Sequence, residues 1–274
     1  MTDPLPDALA GPPPDLVARL RAAGCVFAED EARLLVAAAP DAVTLAGMVD
    51  QRAAGTPLEQ VVGWAEFCGL RIAVDPGVFV PRRRTEFLVG LAVALGRQTG
   101  RPRTVVVDLC CGTGALGAAV AAALTGVELH AVDVDPAAVA CARRNVGPFG
   151  SRVHQGDLDE PLPPELSGHV DLLLANVPYV PTGEVELLPA EARLHEPRAA
   201  LDGGADGLDV LRRVAAAAPR WLAPGGHLLV ETSDRQAEIA VEILGRAELA
   251  ARTACSEELE ATVVVGTRPA HRAG

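Results

Sequence analysis

The segment TVVVDLCCGTGALG, Thr104 to Gly117, constrains this chain more than any other. A β-branched run of buried-strand type enters a loop with glycines at 112, 114 and 117, and an alanine-rich helical pattern follows. Glycines there let the backbone turn tightly and approach a ligand closely, and the free amides of a helix start offer a polar, anion-friendly rim. The later chain keeps the same rhythm. VELHAVDV, RVHQGD, DLLLAN, GGHLLVETS and ATVVVGTR alternate with PAAVACARRNV, GLDVLRRVAAAAPRWL and RQAEIAVEILGRA. Such alternation predicts an α/β fold with a mostly parallel sheet covered by helices on both faces.

Upstream the texture differs. Residues 1–14 are proline-rich and are expected to be loose. Asp15 can cap a helix over LVARLRAAG with Gly24 past its end, and EDEARLLVAAAP and DAVTLAGMVDQRAAG continue a small helical bundle. AEFCGLRIAVDPGVFVPR alternates and carries Gly69 and Asp75-Pro76-Gly77 as turn signals, which predicts a hairpin or an extended connector. TEFLVGLAVALG then predicts a helix leading into the sheet.

Composition excludes some functions. A formal charge of -12 disfavours unassisted binding to a nucleic-acid backbone, because no broad cationic field replaces its counterions. All 24 basic residues are arginine, a coding bias to which no chemistry is assigned. The six cysteines form neither a C-x-x-C pair nor a secreted disulfide scaffold, so a reducing cytoplasm is expected. The N-terminus has no signal-peptide pattern, and the uncharged stretch Leu109 to Val127 is a loop entering a buried helix rather than a membrane span. The six histidines lack metal-site spacing; His195 is taken as a loop residue, and Cys110 and Cys111 as small packing residues of the loop.

Three acids stand at strand ends. Asp133 can accept hydrogen bonds from both ribose hydroxyls of a nucleoside, a pairing shared by dinucleotide enzymes and methyltransferases. Asp108, just before the glycines, is expected near a cationic or amine-bearing ligand, and Asp157 near an adenine amino group. Three carboxylates suit a sulfonium cofactor and suit a diphosphate poorly. The plainer alternative is that all three are solvated strand-end acids.

LLLANVPYVP ends the fourth strand of the series, whose carboxyl end lies beside the crevice of such a sheet. The Asn176 side-chain oxygen and the Val177 backbone carbonyl can accept the two N–H bonds of an amide or exocyclic amine, and Tyr179 can pack on the planar group. Pro178 holds Val177 extended. A simple strand-ending turn would use the same residue types.

Together these stretches resemble the protein-(glutamine-N5) methyltransferases of the HemK type, which modify the Gly-Gly-Gln motif of peptide-chain release factors. PLEQVVGWAEFCGLRIAVDPGVFVPR is similar to that family's interdomain hairpin, DLCCGTGALG to its cofactor loop, NVPY to its NPPY signature, and EPRAALDGGADGLDVLRRVAAAAPRWLAPGGHLLVE to the segment after it. The resemblance implies a class I S-adenosylmethionine-dependent methyltransferase with a seven-stranded, Rossmann-like sheet. It implies a helical substrate-recognition domain at 1–63, a β-hairpin linker at 64–84 and a catalytic domain at 85–274. S-adenosylmethionine would be held by Asp108, Cys110, Gly112, Thr113, Gly114, Asp133, Val134, Asp157, Leu158 and Asn176, with no metal. Catalysis would fall to Asn176, Val177, Pro178 and Tyr179, and the enzyme would be a cytoplasmic monomer acting on a protein, with no direct nucleic acid and no membrane.

Departures from that pattern suggest a paralogous branch. Val177 replaces a proline but keeps its carbonyl, so activity is expected to persist. Arg83 and Arg84 stand where the family usually has Pro and Glu, and ETSDRQ replaces an E-I-G run. Arg82 to Arg84 can either steer an acidic partner or form a solvated turn. Three alternatives stand beside this reading: methylation of an exocyclic amine of adenine or a small metabolite, a non-catalytic cofactor-binding interaction protein, and a nicotinamide dehydrogenase.

Overall fold

The computed structural model describes residues 12–270, so the proline-rich stretch read as loose at 1–14 falls, up to residue 11, outside the described residues. Four helices, α1 (Pro14–Ala22), α2 (Ala28–Ala38), α3 (Ala42–Ala53) and α4 (Leu58–Val62), pack around Leu16, Leu20, Ala28, Leu35, Leu45 and Val49. Asp41 starts α3 by accepting a hydrogen bond from the Thr44 amide at 2.7 Å. The cap expected of Asp15 is not made: Pro14 is already the first helical residue and Pro13 takes the cap position, so Asp15 sits inside the first turn. The buried Gln60 ties this bundle to the rest, donating to the carbonyls of Val78 at 3.1 Å and His195 at 3.3 Å.

The hairpin forms as expected from β1 (Trp64–Phe67) and β2 (Leu70–Ala73). Its two turn residues, Cys68 and Gly69, both have positive φ, 50° and 72°, the backbone of a tight two-residue turn. Phe67 and Ile72 point into a core shared with α5 (Glu86–Gln98). Asn145 fastens the hairpin from behind: it accepts from the Ala73 amide at 2.8 Å and donates to the Ala73 carbonyl at 2.9 Å and to the Thr113 carbonyl at 2.8 Å. One side chain therefore links the hairpin to the glycine loop.

The main sheet contains β3 (Thr104–Leu109), β4 (Val127–Asp133), β5 (Arg152–Gln155), β6 (Val170–Ala175), β7 (Leu222–Thr232), β8 (Ala250–Ser256) and β9 (Ala261–Thr267), in the order β5-β4-β3-β6-β7-β9-β8. The first five are parallel, and β9 runs antiparallel to both β7 and β8. Every residue of β6 is buried. Leu172 and Leu174 face the side covered by α5 and α6 (Ala115–Ala123), while Leu173 and Ala175 face α9 (Asp209–Trp221) and α10 (Ala237–Arg246). This two-sided burial explains the uninterrupted apolar run. From β3 the chain winds outward through α7 (Pro136–Val146), then returns to lay β6 on the other side of β3, so a crevice opens between β3 and β6.

Three elements escaped the sequence reading, the short α4 among them. Strand β8, AARTACS, is an edge strand half open to solvent with few β-branched residues, so its pattern is weak. Helix α8 (Ala190–His195) and the short turns around it form a cover over the crevice mouth; single turns leave little periodicity to detect. No helix among the described residues is long and apolar enough to cross a membrane. Trp221 is 1% exposed at the end of α9, and its indole donates to Asp159 at 2.9 Å. Trp221→Ala is expected to lower unfolding stability by about 3–5 kcal/mol, measured as a fall in the urea midpoint with an unchanged slope.

Candidate functional site

Strand register builds the site. Leu109 pairs with Val132 and Ala175, Ala175 pairs with Val230, and Asp133 pairs with Gln155. One step further along, Gln155, Asp133, Cys110, Asn176 and Glu231 stand side by side at the carboxyl ends of five strands. Strands lie about 4.8 Å apart, so Asp133 and Glu231 are roughly 14 Å apart across this row. Cys110, Asp133, Asn176 and Glu231 all line one cleft of about 820 Å³. A nucleoside carrying a short side chain fits that span.

The glycine loop supplies one end of the cleft. Cys110, Gly112 and Gly114 all have positive φ (54°, 54° and 75°), so the backbone curls back on itself. The Gly112 amide donates to Asp133 at 2.8 Å, and a Cβ on Gly112 would meet no protein atom within 4 Å. Glycine at 112 thus satisfies the left-handed backbone and leaves room for a ligand. Gly114 faces inward instead, where a Cβ would press on Ala142 and Val146 of α7. Thr113, Val134 and Leu158 line the cleft, Leu158 with a φ of 49° unusual for a branched residue.

The three acids separate by environment. Asp133 accepts from the Gly112 amide and, at 2.9 Å, from the Asp135 amide; burial raises its pKa and these amides partly offset the rise. Asp157 is half exposed and pairs with Arg213 at 2.8 Å, a partner the sequence did not announce. Asp108 was expected beside the ligand, but it lies beneath the loop, 1% exposed and outside the cleft wall. One of its oxygens accepts from the Gly117 amide at 2.9 Å, the other is buried without a partner, and burial pushes its pKa up to about 7. Through the first of these bonds it braces the start of α6.

The N-V-P-Y stretch forms the other end. Among the described residues, neither the Asn176 side-chain amide nor the Val177 carbonyl has a protein hydrogen-bond partner. The residues that follow are held in place. Val180 donates to Leu201 at 3.0 Å and accepts from Gly203 at 2.8 Å, and the Gln236 amide donates to the carbonyls of Tyr179 and Asp206, both at 2.9 Å. Gly203 and Gly207 pack so closely here that a Cβ on either would collide with the Pro178 or Tyr179 carbonyl. These supports were not identified from sequence; the GGADG spacing was visible, but nothing in it says which strand end it embraces.

Tyr179 is held at its tip. Arg84 donates to the phenol oxygen at 2.6 Å and to Glu231 at 3.1 Å, and the phenol donates to Glu231 at 3.3 Å. Burial raises the Tyr179 pKa to about 12, with Glu231 adding to the rise and Arg84 opposing it, so the side chain is a neutral phenol and not a base. Arg82 pairs at 2.6 Å with Glu196, whose carboxylate is buried. Arg82 and Arg84 are therefore each paired with a buried carboxylate, although the Arg84 side chain is still 47% exposed, and Arg83 is exposed without an ion pair among the described residues. Cys110 and Cys111 have thiol pKa values raised by burial, as packing residues would, and His195 lies outside the cleft wall. Among the described residues no cluster of three or more His, Cys, Asp or Glu can hold a metal ion.

The family model described as the methyltransferase small domain matches residues 69–208. The release factor glutamine methyltransferase of Geobacter sulfurreducens is 41% identical over 202 residues, which cover 73% of this chain and 69% of that one. The 4-amino-L-phenylalanine/4-methylamino-L-phenylalanine methyltransferase of Streptomyces pristinaespiralis is 39% identical over 193 residues, covering 69% and 65%. Among solved structures, the T. Thermophilus 16S rRNA N2 G1207 methyltransferase in complex with AdoMet and guanosine superposes with a TM-score of 0.52 at 23% identity, over 75% of this chain and 49% of that one, a likeness of fold.

Asp108 yields a pH prediction. Its carboxyl titrates near 4 in an unfolded chain and at about 7 when folded, so between those values the native state holds the extra proton. The stability this group contributes is full below about pH 4 and is lost as pH rises through about 7. Asp108→Asn cannot lose that proton, so between pH 5 and 8 the melting temperature of the wild type should fall relative to the variant; parallel curves would contradict the assignment.

Proposed function

The chain belongs to the release factor glutamine methyltransferase family, whose members use S-adenosylmethionine, and from that premise we propose that it methylates the side-chain amide nitrogen of a protein glutamine, in the Gly-Gly-Gln motif of a peptide-chain release factor. The observation that carries this reading is the pair of adjacent acceptors, the Asn176 carboxamide oxygen and the Val177 carbonyl, left without protein partners among the described residues at a cleft wall, just before a stretch held through the Tyr179 carbonyl and both backbone groups of Val180.

A primary amide offers two N–H donors in one plane, which two such acceptors can hold at once. Its nitrogen is a poor nucleophile because its lone pair is conjugated, so positioning is the main task, and fixed geometry can contribute on the order of 7–11 kcal/mol. Asn176 and Val177 orient the amide, Pro178 keeps the Val177 carbonyl in place, and Tyr179 supplies an apolar face for the planar group. After transfer the nitrogen sheds one of its two protons to solvent, so no strong base is needed.

The opposite end of the cleft suits the cofactor. Asp133 and Val134 would hold the ribose, Gly112 and Thr113 its attached chain together with Cys110, and Asp157 and Leu158 the adenine; Gly114 and Asp108 shape the loop from below. The open space above Gly112 and the remaining lone pairs of Asp133 support that assignment. When bound, S-adenosylmethionine supplies an electrophilic methyl group. No metal enters this scheme. The helical bundle through residue 63 would recognise the folded acceptor, and the enzyme would work as a cytoplasmic monomer.

A second reading draws on the relative named for 4-amino-L-phenylalanine, since an exocyclic amine presents the same two N–H donors. Intact-mass analysis separates the two. Unmodified release factor from the same organism, incubated with the enzyme and S-adenosylmethionine, should gain one methyl on the glutamine of Gly-Gly-Gln. Asn176→Ala should bind the cofactor normally and lose at least a hundredfold in transfer rate. Methylation of 4-amino-L-phenylalanine with none of the release factor would favour the second reading instead.

A further inference from the structure

We propose that Arg84 is a positioning residue for the acceptor side of the cleft, acting through Glu231 and Tyr179 without touching the reacting groups. Three elements distant in sequence meet at this point: the turn after the hairpin, the loop after β6 and the end of β7. Glu231 is 2% exposed, and among the described residues its carboxylate is bonded through Oε1 to Arg84 and Tyr179 alone, while Oε2 is buried without a partner. Among the described residues Arg84 is thus the one cation paired with this buried carboxylate, a role that favours one placement of its guanidinium. The same guanidinium reaches the Tyr179 phenol oxygen at 2.6 Å, the shorter of the two contacts that oxygen makes.

Geometry gives this arrangement its consequence. Tyr179 follows Asn176 by three residues, and the Gln236 amide grips its carbonyl while Arg84 and Glu231 grip its phenol. The backbone and the phenol of Tyr179 are thus both held. Val177 has no ring to stiffen the loop from within, so the restraint comes from outside, across the cleft. A guanidinium fits because it can donate in two directions from one planar group.

Tyr179 is the single tyrosine of the chain, so its ionisation can be read directly as tyrosinate absorbance, with circular dichroism confirming that the fold persists at each pH. In the wild type the phenol should stay un-ionised through pH 11. In Arg84→Gln the released ring meets water and its midpoint should fall to about 10, the ordinary tyrosine value. If Arg84 were only a neighbouring charge, its removal would take away an attraction for tyrosinate and the midpoint would stay or rise, which would overturn the proposal. Arg84→Lys keeps the charge and the donors and should preserve the high midpoint.

The kinetic consequence rests on the reading that Tyr179 faces the acceptor. Arg84→Gln should lower kcat on the release factor at least tenfold with cofactor affinity unchanged, and Arg84→Lys should recover most of it. An unchanged kcat in a variant whose tyrosine has been released would overturn the positioning role. The titration needs no acceptor, so failure of the wild type to methylate a release factor would count against the proposed substrate and leave the restraint on Tyr179 separately decided.

Discussion

The site depends on the parallel register of three neighbouring strands. Because Leu109 pairs with Ala175 and Ala175 with Val230, the residues that follow, Cys110, Asn176 and Glu231, must emerge abreast at one edge of the sheet. A slip of one residue in β6 would turn Leu173 and Ala175 onto the wrong face and remove Asn176 from the row. Burial of β6 on both faces makes such a slip costly, since each face is filled by its own set of helices. The apolar core thus fixes the polar chemistry at its margin.

At this row and elsewhere the protein buries carboxylates and compensates them with guanidinium groups. Arg82 meets Glu196, Arg84 meets Glu231, Arg101 meets Asp171 and Arg52 meets Glu31. Removing one partner of such a pair is more damaging than the pair's net contribution suggests, because a buried charge is left alone. Asp108 is the exception: with no cation beside it, it is held by one backbone amide and its pKa rises. Arginine's planar fork suits these pairings, so the absence of lysine, assigned no chemistry from the sequence, coincides with a structure that uses guanidinium geometry repeatedly.

Much of this was legible in the sequence. The strand, glycine loop and helix around Asp108, the alternation that follows, and the hairpin at Gly69 all carry local signals of backbone conformation. Asn176 and Tyr179 were legible because an apolar strand ending in N-x-P-Y places them at a sheet edge. What local pattern could not show was which distant residues close on that edge. Glu231, Gln236, Arg84 and Arg213 act through side chains brought together only by the sheet order, and Gly203 and Gly207 matter through the backbone they approach. Asp108 shows the same limit: sequence puts it at the strand's end, but only packing shows one of its oxygens bonded to the Gly117 amide of α6 and the other buried without a partner.

We propose that the row from Asp133 to Glu231 seats cofactor at one end and a planar amide at the other. A crystal structure with S-adenosylhomocysteine and a peptide containing Gly-Gly-Gln tests it most directly. The account predicts the ribose hydroxyls on Asp133, with the glutamine amide donating to the Asn176 side-chain oxygen and the Val177 carbonyl beside the Tyr179 ring. A glutamine bound elsewhere, with Asn176 and Val177 both facing solvent, would contradict it.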